Sequence, residues 1–256
     1  MFASSTPFSS FLAPAAFAAD FDREARARGF RADPLGVVAE IPLHAYVRPN
    51  PSARAKLYLS SGVHGDEPAP PQALLELLRR GVFDERAEWY LVPLLNPTGF
   101  IARTRENADG IDLNRDYRNP RSAEILAHTR WLARQPRFDA TFCLHEDYEA
   151  TGFYLYEVNT GELASLVPVM LDAARALGPI DPAEIIDGRA ISAPGVIRPN
   201  IDPVLRDAWP EALFLREHHT SLSYTLETAS AQAPDLRVRT HVAVVEAALT
   251  AFLTRP

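Results

Sequence analysis

Leu57-Tyr58-Leu59, then Val63-His64-Gly65-Asp66-Glu67-Pro68, then Ala73-Leu74-Leu75-Glu76-Leu77-Leu78 read as one passage. An apolar run stops, a histidine and a carboxylate follow three residues apart, and a helical pattern starts. A strand end passing into a helix start is where open α/β sheets collect their functional groups. Gly62 and Gly65 let the backbone turn tightly there. Pro68, Pro70 and Pro71 suit the first helical turn. Imidazole and carboxylate together have the hardness of zinc ligands, although a surface turn also carries such a pair by chance.

Outward from this passage, 256 residues are enough for one α/β domain with a full core. The chain is 47% apolar and 23% charged, an ordinary globular composition rather than a disordered one. A net charge of −7 argues against a nucleic-acid binder that relies on bulk charge. A single cysteine, Cys143, excludes an internal disulfide and a cysteine-rich metal site. No apolar stretch reaches the roughly 18 residues of a spanning helix, so no membrane partner is expected. The run Phe11-Leu12-Ala13-Pro14-Ala15-Ala16-Phe17-Ala18-Ala19 has a faint Ala-x-Ala signal but no basic residue before Arg23. It reads as a helical lead-in over 1–35, which makes the expected location cytoplasmic, with periplasmic export as the alternative.

Alternation from Gly36 to Val47 predicts a strand, and Lys56–Ser60 a short buried one that delivers His64. Helical spacing covers Gln72–Arg80, stopped by Gly81. Trp89–Leu95 is the next strand, closed by a turn at Asn96-Pro97-Thr98-Gly99-Phe100. Residues 100–117 have no period and form a long loop, which in a compact domain is usually functional. A helix over Arg121–Ala133 leads to a strand over Phe138–Leu144, with Gly152–Val158 as its expected neighbour. Leu163–Leu177 is an amphipathic helix, 179–210 an irregular Pro-rich rim, Ser221–Glu227 a strand and Val238–Leu253 a closing helix. The alternation predicts an α/β fold: one domain over 1–256, with a mixed, mostly parallel central sheet and helices on both faces.

A catalytic zinc site takes three protein ligands and leaves one position open. His64 and Glu67 supply two, and His145, delivered by Phe142-Cys143-Leu144, fits as the third. His44, His128 and His241 are less well placed. His218 or His219 offers one ligand at most, and these histidines read as surface residues. The stretch Arg105-Glu106-Asn107-Ala108-Asp109-Gly110-Ile111-Asp112-Leu113-Asn114-Arg115 puts two arginines in one loop, with Asn114 beside the second. An Arg and Asn pair can hold a carboxylate, and a further Arg can polarise a carbonyl. Tyr224-Thr225-Leu226-Glu227-Thr228 ends an apolar strand in a carboxylate suited to general-base work. A pocket arginine would favour acidic or diaminopimelate-like side chains; Arg198, Arg206 and Arg216 lie in the right stretch, but each reads as a surface arginine.

The ordered set His64-x-x-Glu67, Arg105, Asp112-Leu113-Asn114-Arg115, His145 and Thr225-Leu226-Glu227 resembles the zinc carboxypeptidases of the M14 family. The resemblance spans residues 56–230. It implies one zinc per chain on His64, Glu67 and His145, with Arg105 on the scissile carbonyl. It further implies Asn114 and Arg115 on the substrate carboxylate and Glu227 as base, then acid. Asn96-Pro97-Thr98-Gly99 looks like the family's turn before the arginine loop. The short loop from Arg105 to Arg115 is most similar to bacterial murein peptide amidases, which implies cell-wall-type peptides as substrates. The family's mobile tyrosine has no counterpart between the Pro-rich stretch and Tyr224. Val63-His64-Gly65-Asp66-Glu67-x-Ala69-Pro70 also resembles the succinylglutamate desuccinylase and aspartoacylase branch. That branch implies the alternative of an N-acyl-amino-acid deacylase. Either reading implies a small peptide or acyl-amino-acid substrate with a free carboxylate.

Overall fold

A computed structural model describes residues 8–199 and 206–255. Ten strands and seven α-helices alternate through these residues, beginning with α1 (Pro14–Ala27), β1 (Arg31–Val38), β2 (Ile41–Arg48), β3 (Ala55–Ser60) and α2 (Ala69–Arg79). They continue with β4 (Ala87–Val92), α3 (Pro97–Ala102), α4 (Ala123–Leu132), β5 (Ala140–Asp147), β6 (Tyr154–Asn159) and α5 (Val167–Arg175). Last come β7 (Ile185–Ile186), β8 (Arg189–Ala190), β9 (Val196–Ile197), α6 (Glu211–His218), β10 (Leu222–Ala229) and α7 (Pro234–Leu253). Eight strands form one sheet in the order β1-β2-β4-β3-β5-β10-β6-β9. Four of its seven pairings are parallel, including the central run β4-β3-β5-β10. The mixed, mostly parallel sheet expected from the sequence is the observed one.

Period-two alternation splits each central strand between two cores. On β3, Leu57 and Leu59 pack with residues of α1, α2, α5 and α7, while Tyr58 packs with Trp131 of α4 and Leu215 of α6. Helices therefore cover both faces. On β10, Leu222, Tyr224 and Leu226 point into the first core. The alternate residues Ser223, Thr225 and Glu227 face a pocket instead.

The chain passes from β3 to β4 on one side and then crosses back to β5 on the other. That reversal leaves a crevice at the carboxyl ends of β3 and β5, the place where such sheets bind ligands. The turn after β3 is held by backbone shape. Gly62 adopts φ +68°, and a Cβ on it would lie 2.9 Å from the Pro93 carbonyl. At Gly65 a Cβ would sit 1.9 Å from the Gly99 carbonyl carbon, so only glycine lets the turn rest on α3.

Several local expectations differ from the structure. The continuous strand over Gly36–Val47 is a hairpin, β1 and β2, turning at Ala39 and Glu40 with φ of 48° and 64°. Neither residue carries the glycine or asparagine that marks such a turn. The helical lead-in ends at Ala27, because β1 begins at Arg31; residues 1–7 lie outside the described residues. Asn96-Pro97-Thr98-Gly99, expected as a turn, opens a helix, since the Asn96 side chain accepts from Gly99 N at 2.8 Å and caps α3. β6 is not beside β5, because β10 inserts between them. Helix α6, just past the Pro-rich stretch, went unassigned in the sequence, and part of that stretch, 200–205, lies outside the described residues.

Candidate metal centre and active site

The three parallel strands bring the candidate ligands together. β5 pairs with β10 in a register that sets His145 opposite Glu227, and Ser60 of β3 pairs with Cys143 of β5. The residues past the end of β3 then fold over the same edge. His64, Glu67 and His145 are all buried, and each offers a ligand atom within 4.8 Å of the other two. His64 Nδ1 lies 2.6 Å from Glu67 Oε1, and His145 Nδ1 lies 3.0 Å from Glu67 Oε2. Burial alone would push the Glu67 carboxyl up, but the two imidazoles outweigh it and hold the group well below the usual range. Two imidazole nitrogens and a carboxylate oxygen, converging and shielded, suit zinc by number and by hardness. No other cluster of this kind occurs among the described residues, and His44, His128, His218, His219 and His241 stay out of it.

Those histidines are mostly not surface residues as expected from the sequence. His128 and His241 are fully inside, and His219 is nearly so. His128 bridges the hydroxyls of Tyr58 and Tyr117 at 3.0 and 2.9 Å. His241 on α7 holds the His145 carbonyl through Nε2 at 3.0 Å. Beside it, Arg237 Nη1 donates to Glu146 Oε1 at 2.7 Å, and Ala69 N at the start of α2 donates to Glu146 Oε2 at 3.1 Å. The backbone N–H of Glu146 donates in turn to Glu67 at 3.1 Å. α7, β5 and α2 are thus tied together immediately behind the cluster.

Asp112 connects the cluster to the arginine loop. Its Oδ1 lies 3.3 Å from His64 Nε2, and its Oδ2 accepts from Arg105 Nε at 2.9 Å. Arg105 Nη1 reaches 3.6 Å from Glu67 Oε1. Asn96 Nδ2 donates to both the Val63 and the Arg105 carbonyls, at 3.2 and 3.0 Å, which fixes the turn and the loop relative to each other. Asn114 accepts at Oδ1 from Glu211 N at 2.8 Å, so its Nδ2 is the group left to donate. Arg115 is exposed at the pocket and ties one nitrogen to the Asn114 carbonyl at 2.9 Å.

Glu227 is only 9% exposed. Burial, with Glu67 and Asp147 adding repulsion against the pull of His145, pushes its pKa up to about 8. It shares a pocket of about 410 Å³ with the cluster, Arg105, Asn114 and Arg115. The roles of Asp112, Arg237 and His241 escaped the sequence reading, since each depends on contacts across different elements. Arg206 and Arg216, read as surface arginines, also line this pocket, whereas Arg198 pairs with Glu157 at 2.7 Å. Tyrosines reach the pocket from β6 and the turn before it: Tyr148, Tyr154 and Tyr156. The one-residue spacing of Tyr154 and Tyr156 on a strand was the available signal.

A family model, the succinylglutamate desuccinylase/aspartoacylase catalytic domain, matches residues 53–178. A carboxypeptidase from Arabidopsis thaliana, SOL1, is 36% identical over a stretch covering 32% of this chain. The chain spans about a fifth of that relative, 21% of its length. A crystal structure of a candidate metallopeptidase from Shewanella amazonensis is 25% identical with a TM-score of 0.80, covering 93% of this chain and 92% of that one. A metallo-carboxypeptidase from Pseudomonas aeruginosa, solved with (2-guanidinoethylmercapto)succinic acid, shares the fold at 21% identity. Its TM-score is 0.66 over 93% of this chain and 68% of that one. With the ordered motif on one sheet edge and the fold shared along nearly its whole length, this chain is similar to the zinc carboxypeptidase-like (M14) proteins and has a carboxypeptidase A-like fold.

Proposed function

We propose that this protein is a zinc-dependent hydrolase that cleaves an amide bond next to a free carboxylate, as a metallocarboxypeptidase does. The observation that carries this reading is the meeting of His64, Glu67 and His145 beside Glu227 at the end of a neighbouring parallel strand. The three residues would hold one zinc ion per chain. Zinc there supplies Lewis acidity, which polarises a carbonyl and lets water ionise near neutral pH.

Glu227 takes a proton from the attacking water and returns it to the leaving nitrogen. Burial raises its pKa, so it holds a proton more readily than an exposed carboxylate does. Arg105, steered by Asp112, donates to the carbonyl oxygen as negative charge develops there. Asn114, through Nδ2, and Arg115 grip the substrate carboxylate and place the amide over Glu227. Peptides of the cell-wall type are the peptide substrates we favour. The location we propose is the cytoplasm, to be read by cell fractionation; no described helix is long and apolar enough to cross a membrane.

Glu227→Gln tests the reading. The variant should keep its metal and lose about 10²–10⁴-fold in kcat. Turnover near the wild-type rate would remove Glu227 from its role. A second reading, a deacylase of small N-acyl amino acids, is favoured by the family match over residues 53–178. It keeps the same cluster and base. Dipeptides assayed beside N-acyl amino acids separate the two.

A further inference from the structure

Helix α7 backs the candidate metal centre with two side chains one turn apart, Arg237 and His241. They meet consecutive residues of β5. His241 Nε2 lies 3.0 Å from the His145 carbonyl and 3.1 Å from Thr228 Oγ1, so α7 is also joined to β10 beside Glu227. Arg237 Nη1 donates to Glu146 Oε1 at 2.7 Å. The other oxygen of that carboxylate accepts from Ala69 N at 3.1 Å, two residues beyond Glu67. Glu146 therefore grips the segment that carries Glu67 at two points: its side chain secures the start of α2, and its backbone N–H donates to Glu67 Oε2 at 3.1 Å. That same Oε2 faces His145 Nδ1 at 3.0 Å.

The Arg237 and Glu146 side chains are 6% and 0% exposed, so water cannot stand in for either partner. Glu146 also lies close enough to Glu67 for the two carboxylates to repel each other. A buried carboxylate beside a like charge holds its place only when a cation compensates it. Arg237 supplies that cation, and no other salt bridge reaches Glu146 among the described residues. We infer that Arg237 is a positioning residue of the metal centre, which through Glu146 sets where Glu67 stands between His64 and His145. Arg237 does not line the pocket and acts only through Glu146. Without the guanidinium, Glu146 is left uncompensated against Glu67, and the start of α2 shifts with its ligand. Removing both charges together then restores what removing one destroys. This inference rests on the proposed zinc site.

Zinc affinity of the full chain, read by competition with a chromogenic chelator, and the visible spectrum of the cobalt-loaded protein test it without substrate. Arg237→Met should weaken zinc binding about 10–100-fold and change the cobalt spectrum. Adding Glu146→Gln should recover most of the lost affinity and the wild-type spectrum, since an amide needs no cation and still accepts from Ala69 N. Wild-type affinity and spectrum in Arg237→Met, or a double variant no better than the single one, would overturn the inference. Should Arg237→Met fail to fold, the double variant decides: zinc bound within about tenfold of the wild type supports the inference, and a weaker or absent site overturns it. Turnover keeps the two readings apart. A wild type that binds zinc, depends on Arg237 for it and cleaves no amide sinks the hydrolase reading alone. A protein that cleaves amides and holds zinc equally well without Arg237 sinks the positioning role alone.

Discussion

At the residue scale, Asp112 has the most to explain, because it touches a candidate ligand and a candidate oxyanion donor at once. Its carboxyl is partly buried, which by itself raises the pKa. His64 and Arg105 overcome that and keep the group ionised well below the usual carboxylate range. An ionised acceptor on Nε2 turns His64 so that Nδ1 faces Glu67, and residues in this position commonly set ligand basicity. Asp112→Ala should therefore weaken zinc binding by about 10–100-fold, read by competition with a chromogenic chelator. Unchanged affinity would reduce Asp112 to a loop residue. The motif Asp112-Leu113-Asn114-Arg115 was legible in the sequence, but this contact was not, because it joins residues 48 apart. Arg206 shows the opposite difficulty: an arginine in a Pro-rich stretch carries no local mark that separates a pocket wall from a solvated surface.

At the element scale, the passage from β3 through the glycine turn into α2 was readable because its signals are local. An apolar run, two glycines and a proline-rich helix start lie in sequence order. The insertion of β10 between β5 and β6 was not readable, since a parallel pairing across some 80 residues leaves no short-range trace. Helix α4 shows how such elements are fixed. His128 on its buried face joins Tyr58 of β3 to Tyr117, and burial lowers its pKa from 6.5 to about 3. The unfolded chain then binds a proton below about pH 6.5 that the folded chain refuses until about pH 3. Stability from the neutral imidazole is complete above that upper value and falls with pH through this window. The advantage of the wild type over His128→Gln in urea unfolding should accordingly shrink from pH 7 to pH 4. An advantage that stays constant or grows would mean that His128 is charged in the fold.

Across the whole molecule, two cores on opposite faces of one sheet leave three parallel strand ends to build the site. The fold class and the helix-covered sheet followed from alternating patterns that tertiary contacts did not override. The charged pocket wall depends on loops whose placement no pattern encodes. The central claim, that His64, Glu67 and His145 form a zinc site, is tested most directly by the metal content of the purified protein. Wild type and His145→Ala would be measured side by side, with zinc added back to both. The wild type should carry about one zinc per chain, lost from the variant, as expected when one of three protein ligands is removed. Full zinc retained without His145, or no zinc in the wild type after reconstitution, would contradict it.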